Sequence, residues 1–193
     1  NLTGFDVAAN ATEVDLDAFS TYYSAAQANM VQSDSVAPVN LEVEDALYTL
    51  LAAGPTAEIG PVSFNWNDEP FNATLRILVD TAALPPRDSF TLLTLMFGGT
   101  VAIELSLEVS EPLAKMLATR GMAFQVRRGA AEQGMEMSAE DAEAIAASRA
   151  AVALAGLVAQ GMLDSTDVGY ASEARFSNGT LTVNDNVVPL GIP

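Results

Sequence analysis

Two hydrophobic periods alternate along this chain, and they divide it into helices and strands. Leu16, Phe19, Tyr23, Ala26 and Met30 recur at three- and four-residue steps, which predicts a helix running to about Val31 and capped by Asp15 or Asp17. Ser33 to Asn40, with Pro38, reads as a loop. Val43, Ala46, Leu47, Leu50 and Leu51 predict a second helix over Leu41–Ala53, stopped by Gly54 and then Pro55. The period then changes to two. Val62, Phe64 and Trp66 alternate with Ser63 and Asn65; after a turn at Asn67–Pro70, Ala73, Leu75, Ile77 and Val79 alternate with Asn72, Thr74 and Arg76. The cleanest alternation follows. Val101, Ile103, Leu105, Leu107 and Val109 point one way and Ala102, Glu104, Ser106 and Glu108 the other, which predicts one buried face and one solvated, acidic face.

Leu2–Ala9 reads as a weak strand, and Asp88 is placed to cap a short helix from Ser89 to Phe97. Pro112 suits the first turn of a helix whose Leu113, Met116 and Leu117 face inward until Gly121. Met122–Met137, rich in Met and Gly, reads as a loop or a broken helix. Gly169–Phe176 and Thr180–Val183 flank Asn178-Gly179, a strong hairpin signal, and Val187–Leu190 extends the sheet. Hairpins separated by helices predict an α+β fold: a twisted antiparallel sheet with helices packed on one face, in a single domain over residues 1–193.

The chain is organised around Ser138–Gly161, read as one long helix. Ser138 caps it with Asp141 three residues on, Glu140, Asp141 and Glu143 load its first turns, and Gly161 ends it. Ala147, Ala151, Leu154, Val158 and Met162, with Ala150 and Leu157 beside them, form one apolar stripe. Ile145, Val152, Gly156, Ala159 and Leu163 form a second, smoother one, the candidate face for a partner chain or an apolar ligand. Ordinary core packing is the commoner use of such a stripe, and a helix apolar on two sides is expected to lie buried between layers.

Charge narrows the function. The 193 residues carry a net charge of −17; residues 1–75 hold eleven acidic side chains and no Lys or Arg. That balance speaks against nucleic acid and against anionic membrane surfaces. The absence of Cys and His removes Ser-His-Asp and Cys-His catalysis and the usual zinc, copper and iron–sulfur ligand sets. No cofactor and no metal is expected. No run reaches 18 consecutive apolar residues, so no span is expected.

What remains is carboxylate chemistry. Asn65, Asn67, Asp68 and Glu69 could offer oxygens to calcium, but they are also ordinary turn residues and lack EF-hand spacing. Glu104 and Glu108 could form a glycosidase pair if they converged, although two glutamates on a strand are more often solvated. Lys115, the only lysine, reads as solvent-facing, and the adjacent Arg127 and Arg128 do not by themselves make an anion site.

The last third carries a resemblance. The runs Leu157–Leu163, Tyr170–Phe176 and Asn178–Asn184 resemble the end of the YdgA/YihF-like family, which closes with a helix ending LVAQG, a strand and dGxLTVNG. Asp185 stands where that family usually has Gly, so the final turn is expected to differ in type. Upstream the match is looser, with Val109–Leu113 and Gly54-Pro55 in the expected order. The resemblance implies an extracytoplasmic domain of a Gram-negative envelope protein, the C-terminal part of a longer chain whose N-terminal anchor would be its membrane contact. It brings no catalytic residues. The expected role is non-catalytic: binding a protein partner or self-associating. The alternatives are carrying an apolar, lipid-like ligand and, third, a carboxylate-based hydrolase.

Overall fold

The computed structural model describes residues 1–32 and 41–190; the loop expected at 33–40 lies outside them. An antiparallel sheet forms the body, and the fold is α+β. In chain order the elements are β1 (Leu2–Thr12), α1 (Leu16–Gln32), α2 (Leu41–Ala52), β2 (Thr56–Trp66), β3 (Glu69–Val79), α3 (Leu92–Phe97), β4 (Val101–Ser110), α4 (Glu111–Glu132), α5 (Ala139–Ala159), β5 (Asp164–Ser165), β6 (Gly169–Ser177), β7 (Thr180–Val183) and β8 (Asn186–Val188). The strand order is β1-β2-β3-β4-β6-β7-β8, with β5 paired to β6.

Local chemistry accounts for most boundaries. The Asp15 carboxylate accepts from the amides of Asp17 and Ala18 and starts α1. Three two-residue turns, Asn67-Asp68, Asn178-Gly179 and Asn184-Asp185, have positive φ at both positions, as a type I′ hairpin requires. The final turn therefore keeps the type expected with glycine; Asp185 takes the left-handed conformation at φ 63°. A bulge in β2 between Ile59 and Val62 is built on Gly60, at φ 140°.

Three expectations change. The helix predicted from Ser89 is split: Arg87–Ser89 is a short 3-10 turn, and α3 is started by Thr91 and Thr94 in a reciprocal capping box rather than by Asp88. The helix that begins at Ser110 does not stop at Gly121. It continues to Glu132 and supplies most of Met122–Met137, the stretch expected as a loop or a broken helix. An interior glycine costs a helix about 1 kcal/mol, and the packing of Ala123 and Ala130 against α5 offsets it. Third, α5 is not buried between layers. Among the described residues its main packing partner is α4, and its buried line is Ala142, Ala146, Ala150 and Leu154.

α4 and α5 form an antiparallel hairpin that leaves the sheet. Only the first turns of α4 sit on the strands, where Leu113 and Ala114 join Val109 beneath Phe64, Trp66, Phe71 and Tyr170. The Phe64 and Phe71 rings stack across β2 and β3, 4.6 Å between centroids. A second cluster lies along the arm, with Ala123, Ala142 and Ala146 sealed by Met122, Val126 and Met137. Alanines at the seam let the two backbones approach. Both helices end alike: Met135 N–H donates to Ala130 and Met162 N–H to Leu157, each past a left-handed glycine, Gly134 or Gly161. Elsewhere α1 packs on α2, and α2 meets the segment just before α3 through Tyr48, whose ring stands edge-on to Phe90 at 5.2 Å.

Candidate functional site

Alternation along the strands sorts the sheet into two faces, and the pairing register lines up each row. Ile59, Leu75, Leu105 and Ala174 are cross-strand neighbours on one face; Ala57, Ile77, Ile103 and Phe176 form the next row. α4 covers this face only at the Val109 end. Val109 is 7% exposed, whereas Leu105 and Ile103, on the same central strand and the same side, are 43% and 39% exposed. Ile59 beside them is 45% exposed. The expectation that all five apolar residues of β4 lie in a buried face is thus corrected: the row is apolar throughout but covered at one end. The arm turns away from the sheet after its first turns, and the residues α4 buries beyond them, Ala123 and Ala130, lie on the arm rather than on the strands. Contiguous exposed apolar surface of this kind marks docking or ligand surfaces on proteins.

The opposite face is polar and internally paired along its middle; at its Ala102 end Leu78 and Ala102 make it apolar, and Ala102 is buried. Glu58, Arg76, Glu104 and Arg175 form one row across β2, β3, β4 and β6. Arg76 bridges Glu58, and Arg175 bridges Glu104. A depression of about 900 Å³ lies over this row, bounded by Thr74, Ser106, Thr182 and Asn186. Glu104 and Glu108 lie four residues apart on an extended strand, roughly 13 Å along it. Carboxylates that hydrolyse glycosides stand about 5–9.5 Å apart. The strand therefore holds this pair beyond working distance, and Arg175 occupies the Glu104 carboxylate. Asp68 and Glu69 lie at the β2–β3 turn, where the Asn67 side-chain oxygen accepts from the backbone nitrogen of Asn1. Among the described residues no three acidic side chains gather as a metal site.

On α5 the structure places the candidate stripe largely in solvent. Val152 is 73% exposed, Ile145 37%, and Ala159 is exposed, while Gly156 and Leu163 are half-buried. The buried seam is a third line, Ala142–Ala146–Ala150–Leu154, sharing only Ala150 and Leu154 with the first of the two stripes read from the sequence. An alanine-rich helix is apolar on every side, so its pattern has little phase; the position of α4 selects the line. By length and composition α5 could also cross a membrane: 21 residues, mean hydropathy 1.5 over its best window. Counting uninterrupted apolar residues missed this because Glu143 and Arg149 interrupt the run. Only 22% of that window is buried, so its hydropathy is not explained by a place in the core.

No signal in the sequence pointed to the open sheet face, because alternation reports which residues share a side and not whether anything covers them.

The family model described as a bacterial protein of unknown function (DUF945) matches residues 1–191, nearly the whole chain, where the quoted C-terminal motifs cover about its last forty residues. No curated protein and no solved structure matches the chain.

Proposed function

The chain belongs to the DUF945 family of bacterial proteins of unknown function, and from that premise we propose a non-catalytic binding role centred on the open apolar face of its sheet. One observation carries it: Leu105 and Ile103, on a central strand, stand 43% and 39% exposed in an apolar row that α4 covers only at one end. Leaving such area in water forgoes about 25 cal/mol for each Å² that a partner would cover. On the polar face the Glu58 and Glu104 carboxylates are engaged by Arg76 and Arg175, which supports the non-catalytic part for that row. The finer placement, a YdgA/YihF-like protein in the periplasm and attached to the inner membrane through an anchor, rests on the C-terminal resemblance.

Photo-cross-linking in living bacteria tests the role. A photoreactive amino acid at position 105 of the full-length protein should yield a protein adduct, and one at the buried position 113 should not. Adducts at neither position, or equal adducts at both, overturn the reading. Adducts to lipid alone at position 105 replace it with the carrier of an apolar ligand.

A further inference from the structure

A second surface, on the outer flank of α4, goes beyond that reading. Leu117, Phe124 and Arg128 recur at helical spacing on the side of α4 turned away from the Ala123–Ala130 seam, and Arg120 and Arg127 lie between them and the seam. Phe124 is 70% exposed and Leu117 48%. Near the tip of the arm the flank borders a groove of about 710 Å³ between Phe124, Arg128, Ala131, Met135 and Met137. α4 carries four of the eight basic residues in a chain of net charge −17. Lys115 and Arg128 pair with Glu111 and Glu132 on their own helix, and Arg120 lies over the Trp66 ring. Arg127 makes no ion pair among the described residues.

The complement is in the same molecule. α1 displays Leu16, Phe19 and Tyr23 at three- and four-residue steps, 75%, 48% and 54% exposed. Asp15 and Asp17 stand at its start, within a 75-residue stretch that has no basic side chain. Phe19 and Tyr23 already stack, 6.3 Å between ring centroids. Among the described residues α1 packs on α2, and this stripe stays exposed.

We propose that α1 of a second copy docks on the outer flank of α4, its apolar stripe against Leu117 and Phe124 and its acidic end toward Arg127 and Arg128. Self-association fits better than an unrelated partner for two reasons. Both halves of the contact are on this chain, with opposite charge. A two-fold dimer also makes the contact twice, and a single helix crossing is small beside the ~1,600 Å² that stable interfaces bury.

The test is light scattering on the purified chain at physiological ionic strength, where the repulsion between two chains of like net charge is screened, with Phe124→Glu and Phe19→Lys. The wild type should run at twice the chain mass. Each variant alone should fall to the monomer mass. An equimolar mixture should recover dimers, because a mixed pair has one wild-type contact and one in which the new charges attract; a misfolded variant could not be rescued this way. A monomeric wild type, or a dimer indifferent to both substitutions, overturns the proposal. Neither outcome bears on the cross-linking at position 105, so the two surfaces fail separately.

Discussion

Glu104 and Leu105 are consecutive on β4 and point to opposite faces of the sheet, and the charged residue is the better covered. The Glu104 side chain is 30% exposed and bound by Arg175, while Leu105 is 43% exposed. The usual order of a half-solvated sheet is inverted at its centre. The inversion arises because the polar face pairs with itself across four strands, whereas the apolar face depends on a helix that covers one end of it.

That arrangement gives unequal costs along one face. Leu113, 2% exposed beneath α4, should lose about 2–4 kcal/mol on substitution by alanine, as buried leucines do. Leu105→Ala should cost less than about 1 kcal/mol, since most of its cavity already opens to solvent. Chemical denaturation of the two variants measures the contrast. Equal costs would mean that something covers the face in solution.

The turn between β7 and β8 supports a second expectation. Asp185 sits at φ 63°, a conformation that costs most side chains about 1–2 kcal/mol and glycine nothing. Asp185→Gly should therefore raise the melting temperature, by of order 1 kcal/mol of stability, and Asp185→Ala should lower it. If glycine destabilised the chain, the aspartate would have a role there beyond filling the turn.

Lys115 offers a pH test. Its pKa is raised above the ordinary lysine value, first by the hydrogen bond to Glu111 one turn earlier and then by the charge of that carboxylate. A raised folded-state value means that the contact contributes below the unfolded lysine pKa of about 10.4 and is lost as pH climbs through the folded one. NMR titration should place Lys115 above a free lysine, and Glu111→Gln should bring it back down. The folded stability near neutral pH should barely respond, because both partners are exposed. A Lys115 that titrates identically in both proteins would contradict the pairing.

Much of the architecture was legible in the sequence for local reasons. Ser138 and Asp141, Asn178-Gly179 and the alternation of β4 each act within a few residues, so composition and spacing suffice to place them. The length of α4 was not legible, because Gly121 and Gly129 argue against a helix that only the α5 seam sustains. The site was less legible still. The stripe at Ile145, Val152, Gly156, Ala159 and Leu163 was readable as apolar, but a helix of alanines gives no phase by which to say that Ala142 and Ala146 are buried and Val152 is not.

The sequence alone determined the elements, the antiparallel hairpins, the acidic balance and the lack of thiol and imidazole chemistry, because these follow from composition and short-range hydrogen bonding. The tertiary structure alone decided which apolar surfaces find cover. The direction in which α4 leaves Ser110 fixes this: packing α4 along α5 buries alanines on the arm and leaves Ile103 and Leu105 open on the sheet.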